Sequence, residues 1–143
     1  MTTLKLSPFS SVSVRASAPG ALEVEALYDP GGAPPPAHLH PAQAEHFEVL
    51  EGSVSTRVDE QDRTLHVGDT LDIPQGAVHQ MWNAGSEPAR VLWRTTPAGR
   101  TLEWFGVLDE LQREGRVLRN GVEVPGTELL AEYRDVFRLP EPG

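Results

Sequence analysis

The chain has 143 residues, a formal net charge of −9 at pH 7 and a sequence pI near 4.9, with 13 glycines, 13 prolines and no cysteine. The acidic balance argues against DNA, RNA or an anionic membrane as partner, because each needs a basic patch. The absent cysteines exclude disulfides, thiolate metal ligands and cysteine nucleophiles.

The length and even composition fit one domain with a sizeable core. The N-terminal stretch MTTLKLSPFSSVSV has no apolar core long enough for a signal peptide. No run approaches the roughly 18 apolar residues of a membrane span, so the expected location is the cytoplasm.

In chain order, residues 2–16 alternate weakly and are expected as edge strands. ALEVEALYD (21–29) alternates well, with Leu22, Val24, Ala26 and Tyr28 on one face and Glu23 and Glu25 on the other. PGGAPPPA (30–37) is a stiff loop, since proline has no ladder donor. Strand-sized pieces then follow at residues 45–51, 53–59, 63–67, 70–73, 77–83 and 89–96, separated by turn residues. Such spacing, roughly ten residues apart, is that of an antiparallel sandwich or barrel.

After Pro97 the period changes. Residues 100–115 carry Leu102, Phe105, Leu108 and Leu111 at helical spacing, with Gly115 as a C-terminal cap. Residues 126–139 place Leu129, Leu130, Tyr133, Val136 and Phe137 on one stripe, with Thr127 as N-cap, and predict a second helix. The intervening GRVLRNGVEVPG reads as loop, with Asn120–Gly121 a turn signal. The chain thus divides into a barrel, 1–96, and a helical extension, 97–143, packed on the barrel or on a partner chain.

HLHPAQAEHFEVLEG (38–52) concentrates three histidines and three glutamates around apolar positions. Alternate residues of an extended chain share a face, so His38 and His40 point the same way, and Glu45 points with Phe47 and Val49. A carboxylate pointing into a core is costly alone and stabilised beside a divalent cation. His79, on a later strand, is the natural fourth ligand. His46 and Glu48 fall on the opposite face and His66 is expected to be exposed.

These positions resemble the cupin superfamily. Its first motif is matched by Gly32, His38, His40, Glu45 and Gly52, and its second by Gly68, Pro74, Gly76, His79 and Asn83, with fifteen residues between the motifs. The resemblance covers about residues 20–96. It implies a mainly β fold, a double-stranded β-helix or jelly-roll barrel, here with two short C-terminal helices. It also implies that His38, His40, Glu45 and His79 hold one divalent transition metal ion (Fe, Mn, Ni, Co, Cu or Zn), a choice the donor set does not narrow. Gly52 and Gly68 would end strands at tight turns, Pro74 and Gly76 would form the turn before His79, and Asn83 would tie a turn through its side chain.

Phe47, Val49, Val54, Leu65, Leu71, Ile73, Met81 and Trp93 are expected to line the barrel, with Met81 and Trp93 as pocket wall. Tyr28 offers either a hydroxyl to the pocket or a core ring. Gln43, in the turn between His40 and Glu45, either contacts a metal-bound water or stabilises the turn. Trp104 and Phe105 either close one barrel end or join a subunit contact.

Small cupins of this kind resemble metal-dependent dioxygenases, isomerases and decarboxylases acting on small organic molecules, with Glu45 able to detach and serve as base. The alternative is a metal-dependent module that binds or senses a small molecule without turnover. A homodimer is expected, because strand edges and apolar helix faces need cover.

Overall fold

The structure, a computed structural model, describes residues 3–115, 118–119, 122–123 and 127–140. Nine strands precede the first helix: β1 (Thr3–Ser7), β2 (Ser10–Ala18), β3 (Ala21–Tyr28), β4 (Ala44–Glu51), β5 (Ser53–Val58), β6 (Gln61–His66), β7 (Thr70–Ile73), β8 (His79–Trp82) and β9 (Ala89–Thr96). Then come α1 (Thr101–Arg113), a short strand pair, β10 (Leu118–Arg119) and β11 (Val122–Glu123), and α2 (Thr127–Glu132).

The strands form two antiparallel sheets, ordered β1-β2-β3-β9-β4-β7 and β6-β5-β8, which enclose one core as a jelly-roll barrel. Alternation explains why. Leu22, Val24 and Ala26 of β3 are buried, as are Glu45, Phe47 and Val49 of β4. Register aligns them across β9: Val24 and Phe47 both oppose Trp93, and Ala26 and Val49 both oppose Val91. Glu45 falls in the next inward row, opposite Thr95 on one side and Ile73 on the other. A carboxylate is therefore carried into the core by the same pleat that buries Phe47.

The chain passes from the large sheet to the small one at Gly52, whose φ is +74°. A Cβ there would lie 2.5 Å from the carbonyl oxygen of Pro88, so only glycine fits this crossing. The β5–β6 hairpin turns at Asp59 and Glu60, both with positive φ, rather than at 60–62 as expected. Two left-handed residues match the right-handed twist of the flanking strands, so β6 begins two residues early.

Four further expectations need correction. Residues 2–16 are not all edge: β1 is the edge, but β2 lies between β1 and β3. The stretch 77–83 is strand only from His79 to Trp82, because Ala77 closes a turn onto the Pro74 carbonyl. The 115–126 stretch is not wholly loop, since Leu118 pairs with Glu123 and Arg119 with Val122; the expected Asn120–Gly121 turn lies outside the described residues. The helix expected over 126–139 stops at Glu132. Arg100 reaches the Glu132 carbonyl (2.6 Å) and grips Asp135 through two nitrogens (2.9 and 3.1 Å), which satisfies the helix end. Residues 133–136 then form a turn, with the N–H groups of Val136 and Phe137 both donating to the Tyr133 carbonyl (2.9 Å each), and beyond it Arg138 pairs with Leu39 (2.9 and 3.0 Å). The side chain of Thr127, the expected N-cap, is outside the described residues.

Helix α1 lies within its expected span of 100–115, ending at Arg113, and Gly115, whose φ is +71°, follows its C-cap Glu114. Its buried face, including Trp104, Phe105, Leu108 and Leu111, packs on the barrel, so Trp104 and Phe105 close one barrel end. Asp109 accepts the Lys5 backbone N–H (2.9 Å), fixing α1 to the edge strand β1. Among the described residues no helix is long and apolar enough to cross a membrane.

Candidate metal centre

His38 and His40 arrive on the stretch that follows the prolines. His38 forms an antiparallel bridge with His79 of β8 (3.1 and 2.9 Å), so the two are direct neighbours across a strand pair. On its other side the same stretch pairs with the C-terminal tail at Leu39–Arg138. Glu45 comes from the large sheet. The three imidazoles place their ligating nitrogens within 4.8 Å of one another, a group able to hold a metal ion. Glu45 Oε1 lies 3.2 Å from His40 Nε2 and 3.1 Å from His79 Nε2.

The hydrogen bonds decide what those atoms are. Each Nδ1 faces a backbone carbonyl: His38 that of Pro36 (3.0 Å), His40 that of Val136 (2.6 Å) and His79 that of Ala77 (2.9 Å). A carbonyl only accepts, so each Nδ1 carries a hydrogen and each neutral ring keeps a lone pair on Nε2. His40 Nε2 and Glu45 Oε1 are buried without a hydrogen-bond partner. Lone pairs facing a carboxylate oxygen at about 3 Å repel unless a cation lies among them.

The electrostatics agree for Glu45 and His38, whereas without an ion His40 is drawn towards its charged form. Burial works against charge on His40, yet the Glu45 carboxylate and the Val136 carbonyl outweigh it and raise its pKa. Burial likewise works against ionised Glu45, but His40 and His79 hold its carboxyl well below the usual range. Burial, then the neighbouring His79 and His40, push His38 down to about 3. The pocket favours an anionic Glu45 and neutral His38, the protonation states of metal ligands. Three imidazole nitrogens and one carboxylate, fixed from behind by carbonyls, fit a divalent transition metal.

A cavity of about 260 Å³ opens beside this group. Tyr28, Phe47, Met81 and Trp93, all expected at the pocket, line it, together with His38, His40, Glu45 and His79. Trp93 is more than wall: its indole N–H donates to Glu45 Oε2 (2.7 Å). Phe47 and Phe105 flank its ring at 5.4 and 5.1 Å between centroids. Burial, then the charge of Glu45, raises the pKa of Tyr28, and its hydroxyl has no hydrogen-bond partner among the described residues.

Gln43 is placed elsewhere. Its amide nitrogen faces the carbonyls of Pro97 (3.2 Å) and Ala98 (2.7 Å) and the Thr101 hydroxyl (2.6 Å), so it ties the turn to the start of α1 and does not line the cavity. Asn83 ties its turn by donating to the Tyr28 and Glu87 carbonyls and accepting from Gly85 N–H. His46 pairs with Asp72 on the outer face and His66 is exposed. Phe137, which sequence reasoning assigned to a helix stripe, stacks on His38 (4.7 Å between centroids, 20° between planes).

Residues 24–94 match the sequence profile of the cupin domain. The chain belongs to the cupin superfamily. The match spans just under half of this cupin, and structural likeness extends further. KdgF from Halomonas sp. superposes with a TM-score of 0.65 at 19% identity, over 71% of this chain and 93% of that one. A sugar phosphate isomerase of the superfamily from Silicibacter pomeroyi is 25% identical with a TM-score of 0.56, over 61% of this chain and 59% of that one. A germin-like protein of Arabidopsis thaliana (subfamily T member 2) is 37% identical over 70 residues, 46% of this chain and 31% of that protein. This cupin therefore spans about a third of that relative's length.

Proposed function

We propose that this cupin is a metal-dependent enzyme acting on a small organic molecule, with His38, His40, Glu45 and His79 as the ligands of one divalent transition metal ion. The observation that carries the reading is the convergence of Nε2 lone pairs on a buried, unpartnered Glu45 oxygen, with every Nδ1 committed to a carbonyl. When bound, such an ion supplies Lewis acidity or a redox centre.

The chain's own side chains do the rest. The carbonyls of Pro36, Val136 and Ala77 hold the imidazoles in one tautomer. Trp93 holds Glu45 by its second oxygen, so the carboxylate keeps one oxygen for the centre. Phe47, Met81 and Phe105 exclude water from the cavity. The Tyr28 hydroxyl is free to donate to a substrate oxygen. Apart from the centre's own residues, the cavity wall offers, among the described residues, only Tyr28 and Asp29 as titratable groups, so the chemistry rests on the centre. The same sparseness favours a second reading, a metal-dependent binding or sensing module without turnover.

The test is elemental analysis of untagged protein purified without added metal or chelator, beside Glu45→Ala and His79→Ala. About one transition metal per chain, lost in both variants, is expected. Oxygen uptake or substrate loss across a broad panel then separates enzyme from binding module. No metal after reconstitution of folded protein would sink the reading.

A further inference from the structure

The cavity wall has a marked chemical bias. Among the described residues no lysine or arginine lines it. The arginines are used on outer faces instead: Arg90 with Glu25 and Glu51, Arg94 with Glu23, Arg57 with Asp62, and Arg100 with Asp135. The carboxyl side chains at the wall are Glu45 and Asp29. With one charge met by the centre, a phosphate or a dicarboxylate entering this space would lose its water and meet no side-chain cation for its second charge, which costs several kcal/mol per uncompensated ion.

What the wall does offer is aromatic and apolar. Phe47, Trp93 and Phe105 form a contiguous row of rings, and Met81 and Leu108 add apolar surface. Ring stacking against such a row favours a flat ligand. A volume of about 260 Å³ equals roughly nine waters at ~30 Å³ each, so the ligand has about ten non-hydrogen atoms. Of the polar side chains at the wall, Ser7 and Ser10 bond each other, Thr101 meets Gln43 and Asn83 is held by the Tyr28 and Glu87 carbonyls, so beside the acidic Asp29 two polar points remain for a neutral oxygen ligand: the centre, and the unpartnered Tyr28 hydroxyl.

Resting on the metal-centre reading for one of those two points, we infer that the cup selects a flat, largely aromatic molecule carrying at most one negative charge and two oxygen donors, and rejects phosphorylated and polycarboxylate compounds of the same size. Aromatic stacking supplies the affinity, and the oxygens fix the orientation.

Three probes of matched size test this on the full chain, metal-loaded and metal-free: 2-hydroxyacetophenone, glycerol phosphate and malate, followed by calorimetry and by tryptophan fluorescence. The aromatic probe is expected to bind the metal-loaded protein at least tenfold more tightly than either anion. Tyr28→Phe should weaken it about fivefold, the size of one neutral hydrogen bond. Phe9→Arg, at the exposed mouth, should narrow the preference by admitting glycerol phosphate. Equal or tighter binding of either anion, or no binding of the aromatic probe at millimolar concentration, overturns the inference. Metal content, measured on the same samples, reports separately on the centre. Metal bound with an anion preferred removes the ligand class alone, whereas an aromatic preference without metal removes the centre alone.

Discussion

Trp93 stands behind Glu45, and one hydrogen bond joins the wall of the cup to its centre. Trp93→Phe keeps a ring between Phe47 and Phe105 but deletes the N–H that donates to Glu45 Oε2. Loss of such a supporting bond typically costs ten- to a hundredfold in metal affinity, and that drop is expected in a competition titration against a chelator. Unchanged affinity would reduce Trp93 to packing. His38 makes a second prediction, for metal-free protein. Burial, then His79 and His40, push its pKa down to about 3, against an ordinary value of 6.5 in the unfolded chain. Between those values the unfolded state binds more protons, so stability falls as pH drops from about 6.5 towards 3. Glu45, with its depressed pKa, adds to the loss as pH falls through the carboxylate range. His40 has the opposite sign: its raised pKa contributes stability that is complete below 6.5 and lost as pH rises. Between pH 7 and 5.5 the two histidines oppose each other, whereas from pH 5.5 to 4.5 the urea midpoint should fall, with the His38 ring signal still neutral by NMR at pH 4.5. Titration of His38 near 6.5 would contradict the burial argument.

At the scale of elements, the tail after α2 belongs to the centre as much as the motif strands do. The Val136 carbonyl fixes the His40 tautomer, Phe137 covers His38, and Arg138 pairs with Leu39. The partner of His40 is a backbone atom, so no side-chain exchange at 136 removes it. Ending the chain after Glu132 removes it outright, and Arg100→Ala loosens it by releasing the Glu132 carbonyl and Asp135. Both should speed metal release to a chelator, the truncation more, by roughly tenfold or beyond. Release at the native rate from a folded truncated protein would show that the tail only covers surface. None of this is written in the tail's sequence. A carbonyl has no residue signature, and the stripe of Tyr133, Val136 and Phe137 fits burial through a turn and extended tail as well as through a helix. The convergence of His38, His40, Glu45 and His79 was legible because strand alternation sets their direction and motif spacing sets their order. Gln43 was not, because its partners, Pro97, Ala98 and Thr101, lie more than fifty positions away, and only the fold brings them near. The indole bond of Trp93 was hidden for the same reason: its inward face was readable, whereas its neighbour across the β4–β9 pair was not.

Considered as a whole molecule, the chain leaves Leu27 on the outer face of β3 and Val67 beyond β6 exposed, and β1 as a sheet edge. A homodimer formed through these features should scatter light at twice 15.6 kDa at micromolar concentration; a monomer there would exclude it. The centre has a larger structural role. Glu45 comes from the six-stranded sheet, His79 from the three-stranded sheet, His38 and His40 from the stretch beside β8, and the tail closes over them. A bound ion would link both sheets and, through the His40–Val136 bond, the tail, and would bind the folded chain but not the unfolded one. At a hundred times its dissociation constant, such a ligand stabilises the fold by about 2.7 kcal/mol. For a domain of this size that raises the melting temperature by about 10 °C. Calorimetry of metal-free protein with and without added metal should register that rise. Glu45→Ala and His79→Ala should each abolish it, because each removes one sheet's contribution to the link. An equal rise in either variant would place the ion elsewhere on this acidic surface and leave the buried histidines to a proton.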